Sequence, residues 1–116
     1  VNAAISAHGL ENNVRLVGRP CCLAYATLDE NGQSSQALRT LFLQETIRRG
    51  ILMPSLVVSY THSDTDIART IDAIDGALGV YVRALNDGVD NYLTGRPSQV
   101  VYRRFNDAPS YPPATR

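Results

Sequence analysis

Residues 63–85, SDTDIARTIDAIDGALGVYVRAL, decide the fold. Ser63-Asp64-Thr65-Asp66 is a capping box of the [ST]-x-x-[DE] type, which marks a helix start. The apolar series Ile67, Ile71, Ile74, Leu78, Val82 and Leu85 steps by three or four residues, so one stripe faces a core. Asp64 and Asp66 stand at the positive end of the helix dipole, where acids are favoured. The pattern predicts a helix from 64 to about 86, about 34 Å long at 1.5 Å per residue. That is long for a small domain, so part of it should overhang its own core and want a partner surface. Gly76 and Gly79 each cost about 1 kcal/mol relative to alanine; they read as tolerated weakness or close helix packing.

Upstream, His62 ends a run in which Ile51-Leu52-Met53 and Leu56–Tyr60 predict two short strands around the Pro54-Ser55 break. Before it, residues 35–49 predict a helix, with Leu38, Leu41, Phe42 and Ile47 at mostly helical spacings. Ser34 or Ser35 can cap its start. Arg48 and Arg49 suit the last turn, and Gly50 can end it in the left-handed conformation. Cys21–Leu28 alternates as a strand, with Cys21, Leu23, Tyr25 and Thr27 on one face and Cys22, Ala24, Ala26 and Leu28 on the other. Asp29–Gly32 is a polar turn. Val14–Val17 predicts a further short strand, closed by the punctuating triplet Gly18-Arg19-Pro20. Residues 2–12 read as the tail end of a helix interrupted at Gly9. The expected fold class is α+β, in two layers, with a small, mostly antiparallel sheet packed on two main helices.

The character changes after the long helix. A short helix is possible across Val89–Leu93 and a strand at Val100–Tyr102; the proline-rich end from Asn106 predicts extended or disordered chain. The expected organisation is an α+β unit at 1–86 and a C-terminal extension at 87–116. At 116 residues one domain with a real core is possible. No apolar run approaches the roughly 18 residues needed to span a bilayer, and no signal peptide is visible. The only methionine is Met53, so the chain is expected to be processed or to be a piece of something longer.

Eleven basic and eleven acidic residues cancel, and all the basic ones are arginine. Zero net charge gives no pull toward nucleic acid or anionic membrane, so neither is an expected partner. Without lysine the chain cannot form a Schiff base through a lysine amine, and it cannot carry a Walker-type phosphate loop. Cys21 and Cys22 are adjacent, a geometry that seldom bridges. They are expected to be buried, reduced thiols, in keeping with a cytoplasmic setting.

Few residues suggest chemistry. His8 and His62 each stand alone; His62 reads as a loop or capping residue ahead of a general base, since no G-x-S-x-G elbow supports a triad. Asp64, Asp66, Asp72 and Asp75 fall mostly on the solvated face of the long helix. Nothing has the spacing of a zinc site, so no metal is expected. Arg103-Arg104 reads as a solvated pair. Arg19, in a fixed Gly-Arg-Pro turn, either joins a surface ion pair or holds a carboxylate or phosphate bidentately.

The order of elements and short motifs resembles the C-terminal small domain of class III pyridoxal-phosphate-dependent aminotransferases, most closely the glutamate-1-semialdehyde aminomutase branch. The residues that carry the resemblance are Gly50-Ile51-Leu52-Met53-Pro54-Ser55, His62-Ser63, Asp66-Ile67 and Thr70-Ile71-Asp72-Ala73, within roughly 3–86. It implies a domain that covers the substrate side of an active site and packs on a large cofactor-binding domain. The turns at Gly18–Pro20 and Met53–Ser55 would then face the cleft, making Arg19, Met53, Pro54 and Ser55 candidate substrate-binding residues. The branch's usual Gly-Gly is replaced here by Arg19-Pro20, so Arg19 could read a substrate carboxylate. The family's cofactor lysine and phosphate-binding loop lie upstream of the matching region. The chain alone is therefore expected to bind no cofactor and to be inactive, pyridoxal phosphate belonging to the full-length parent. Its expected partner is that large domain or, for a free-standing module, a second copy in a homodimer.

Overall fold

A computed structural model describes residues 1–100. The chain forms α1 (Asn2–Ala7), β1 (Val14–Arg19), β2 (Cys22–Thr27), α2 (Gln36–Arg48), β3 (Leu56–Val57), α3 (Asp64–Asp87) and a 3-10 turn at Val89–Asn91. The strands make one antiparallel sheet in the order β1-β2-β3. The fold is α+β.

Strand alternation explains which face is covered. Val14 pairs with Thr27, Leu16 with Tyr25 and Gly18 with Leu23; the side chains of this set turn to the helices, and Val14, Tyr25 and Thr27 are buried. The alternate set, Arg15, Val17, Arg19, Cys22, Ala24 and Ala26, forms the outer face. Pro20 and Cys21 make the two-residue hairpin connection, with no positive φ at either. The mirror-image turns usual for such loops need positive φ; here that geometry appears at Gly18, φ +118, instead. A Cβ at Gly18 would lie 2.6 Å from the Cys22 carbonyl oxygen, so only glycine fits.

This hairpin corrects the reading of the cysteines. Cys21 sits in the connection and Cys22 on the outer face, so both thiols are exposed and unbridged. The strand is shorter than its sequence pattern because Cys21 belongs to the turn.

Helix α2 starts at the Ser35 cap, whose hydroxyl accepts the Leu38 N–H. It ends as expected at Gly50, φ +83. Gly50 N–H donates to Ile47 O and Ile51 N–H to Thr46 O, the paired bonds of a Schellman stop. Leu38, Leu41 and Phe42 enter the core, but Ile47 is exposed, because the buried face at that level is taken by Glu45 and Thr46.

The Ser63 capping box forms in full, and α3 runs to Asp87. Its buried face shares Ile74 and Leu78 with the aliphatic series, and Val82 and Leu85 pack beside them, but it also takes in residues outside the series. Ile71 is exposed, whereas Ala73, Ile74, Ala77, Leu78, Tyr81 and Ala84 are buried. Packing begins only at Ala73, so the first turns do overhang. The small residues let α1 and α2 approach closely, a signal that counting large aliphatics misses.

Two further expectations need correction. Ile51–Met53 is not a strand: Leu52 is exposed, and the Met53 carbonyl is taken by the Tyr25 hydroxyl at 2.9 Å. β3 shrinks to two residues because its partner strand begins at Cys22, leaving nothing for Val58 to pair with. Val58–Tyr60 leaves the sheet in a turn, where His62 N–H donates to Ser59 O.

After α3 the chain stays on the body. Val89, Tyr92 and Leu93 pack against the core. Gln44 donates to Tyr92 O at 2.9 Å and accepts from Thr94, and Ser98 N–H donates to Thr40 Oγ1. The strand expected at Val100–Tyr102 beyond its first residue, the Arg103-Arg104 pair and the proline-rich end lie outside the described residues.

Candidate functional site

The Met53–Ser55 turn is held from two elements. Tyr25, on β2, donates its hydroxyl to Met53 O at 2.9 Å. Arg39, on α2, donates to Pro54 O at 2.9 Å and to Tyr25 O at 3.1 Å. The Arg39 guanidinium also lies 4.6 Å from the centre of the Tyr25 ring, a cation–π contact. Burial raises the Tyr25 hydroxyl above the ordinary tyrosine range, with the Arg39 charge opposing it. The hydroxyl therefore stays protonated and donating at neutral pH. Neither Tyr25 nor Arg39 was marked by any motif; their role comes from the pairing of β2 with α2, which spacing along the chain does not reveal.

The turn borders a half-open cavity of about 400 Å³ between α2's end, β3 and the overhanging start of α3. Met53 and Ser55 line it. The Met53 side chain is also part of the buried core, whereas Pro54 and Ser55 are exposed. The walls are apolar at Ile51, Leu56, Val57, Val58 and Ile67, with His62, Asp66, Arg69 and Thr70 joining Ser55 as the polar groups.

Arg19 is placed elsewhere. It is exposed on the outer face of the sheet, and it does not line this cavity. Cys22 pairs with Arg19 on one side and Val57 on the other. Arg19 and the β3 edge are thus two strand spacings apart, about 10 Å. Among the described residues Arg19 makes no ion pair within 4.0 Å.

The histidines have structural partners. His8 Nε2 lies 3.0 Å from Asp75 Oδ1, tying α1 to α3. His62 Nδ1 accepts the Ser59 N–H at 3.1 Å, so His62 is a loop-closing residue. No serine hydroxyl among the described residues bonds to it. Asp66 is committed to the capping box: its Oδ2 accepts from Ser63 N–H and Ser63 Oγ. Those bonds, backbone first, hold its carboxyl below the usual range. Among the described residues no three His, Cys, Asp or Glu side chains gather as a metal site.

A second polar cluster went unmarked. Glu45 is buried and accepts from Arg48 at 2.7 Å and from Arg49 at 2.8 Å. Burial would raise its carboxyl, but hydrogen bonds from Arg49 and Gln44 and the two arginine charges outweigh it and hold the group below its ordinary value. The i,i+3 and i,i+4 spacings were a visible signal. They describe a helix brace centred on a buried carboxylate.

Among the described residues no helix is long and apolar enough to cross a membrane. No family model matches the chain, and neither does any curated protein or solved structure with which it was compared.

Proposed function

We propose that the chain is the small domain, or a C-terminal fragment, of a pyridoxal-phosphate-dependent class III aminotransferase or aminomutase, closing the substrate side of an active site. The observation that carries this reading is the Met53–Ser55 turn. It follows the Gly50 helix stop, it is fixed by Tyr25 and Arg39, and it opens on a cavity beside the overhanging, His62-Ser63-capped α3. A turn braced from behind by two elements is suited to present Ser55 and neighbouring backbone to a second domain or to substrate.

The residues present do not fit the cofactor itself. There is no lysine for a Schiff base. In this reading a separate large domain holds the group, and this chain contributes shape, water exclusion and anion-binding arginine. Arg19, with no ion pair among the described residues, is assigned to a substrate carboxylate. The cytoplasm is the compartment that suits exposed, unbridged Cys21 and Cys22. A second reading, a self-associating module, is favoured by one observation: Leu52, Val57 and Val58, which line the cavity, are all exposed, as is Tyr60 two residues on.

The coding sequence upstream of Val1 tests the choice. An in-frame large-domain region with a lysine following a strand supports the fragment. A stop codon and ribosome-binding site immediately upstream support the module.

A further inference from the structure

The cavity between β3 and the start of α3, which the preceding reading takes only as the space the Met53–Ser55 turn opens on, has the features of a small-molecule site in its own right. Its volume, about 400 Å³, lies in the range of ligand pockets, which are mostly apolar with a few convergent polar groups. Ile51, Leu56, Val57, Val58 and Ile67 supply the apolar walls. The polar groups differ in availability. Asp66 is engaged by Ser63, and Thr70 Oγ1 donates to Asp66 O. His62 has Nδ1 occupied by the Ser59 N–H, so when the ring is neutral its proton is on Nε2, which remains a donor. Arg69 lines the cavity and makes no ion pair within 4.0 Å among the described residues. The site therefore offers apolar surface, a donor-only cation that feels the Asp66 charge but makes no ion pair within 4.0 Å among the described residues, and a second donor.

We propose that this cavity binds a small monocarboxylate with a medium-length apolar body, its carboxylate on Arg69 and its hydrocarbon against β3 and Ile67. Arginine suits this role because its planar fork matches a carboxylate bidentately. The site does not depend on pyridoxal-phosphate chemistry and is testable on the chain alone.

Octanoate is the probe, titrated below its micelle concentration into the isotopically labelled protein, with octanol as the neutral counterpart. Octanoate should give saturable amide shifts at Val57, Val58 and Ile67. Arg69→Gln should weaken octanoate at least fivefold and leave octanol binding unchanged. Arg69 is exposed, so the variant's spectrum should otherwise overlay that of the parent protein. Absence of saturable shifts at β3, equal affinity for octanol and octanoate, or an Arg69→Gln variant that binds octanoate as the parent does would each overturn the assignment.

Discussion

Gly76→Ala should destabilise the protein, although alanine is the better helix former. In an unobstructed helix interior the change would gain about 1 kcal/mol. Here a methyl at position 76 would overlap Arg49 Nε and lie 3.0 Å from Arg49 Cζ and 3.1 Å from Arg49 Cδ. Arg49 must then swing away, breaking its 2.8 Å bonds to Glu45 Oε2 and Glu45 O. A hydrogen bond to a charged group contributes about 1.5–3 kcal/mol. Glu45 keeps Arg48 at 2.7 Å and Gln44 at 3.1 Å, so the low end of the combined loss applies, about 2 kcal/mol. The net expectation is about 1 kcal/mol of destabilisation, a fall in Tm of about 4 °C for a domain near this size. The assay is a double-mutant cycle with Arg49→Ala, read by urea unfolding. In the Arg49→Ala background the obstruction is gone, and Gly76→Ala should stabilise by about 1 kcal/mol. A Gly76→Ala change that stabilises both backgrounds equally would refute the claim that Arg49 occupies that surface of α3.

Other consequences follow from the same contacts. Tyr81→Phe should cost only about 1 kcal/mol, measured by thermal unfolding: its hydroxyl donates to Leu28 O at 2.9 Å, but Asn13 Nδ2 also reaches that carbonyl at 3.4 Å. Ser63→Ala removes the capping box and should lower stability by about 1 kcal/mol, with amide-exchange protection lost first in residues 64–70. The Glu45 carboxyl has a folded pKa below its unfolded one, so its contribution is present above the unfolded value near 4.5 and is lost as pH falls through the folded value; denaturant titrations across that window should show it, and Glu45→Gln should flatten the dependence there. Cys21 and Cys22 should both react with a thiol reagent in the native state without unfolding, because both are exposed.

Sequence patterns located the elements wherever local chemistry was strong. The Ser63-x-x-Asp66 box, the Ser35 cap and the Gly50 stop each depend on residues within one turn, and each formed. Patterns failed where the outcome depends on a distant partner. Ile51–Met53 has strand composition, but Tyr25 captures the Met53 carbonyl from 28 residues away. Cys21 looks like strand, yet the hairpin needs two residues to turn. The aliphatic stripe on α3 holds at Ile74 and Leu78, with Val82 and Leu85 packed at the edge of the core, but Ala77 and Tyr81, outside it, are buried as fully. For the site, the Met53–Ser55 turn was visible through its proline, but Tyr25 and Arg39, which position it, follow only from tertiary pairing. Arg69 carries no motif, and only the cavity beside it marks it.

The function proposed above makes this chain one part of a cofactor-bearing enzyme whose lysine lies outside it. The most direct measurement is borohydride reduction of the protein recovered from its natural source with an antibody to this chain, followed by intact-mass and peptide analysis. The account predicts a polypeptide much larger than 12.7 kDa, with a reduced pyridoxyl adduct on a lysine outside residues 1–116. A 12.7 kDa species with no adduct on itself or on any co-purifying chain would contradict it.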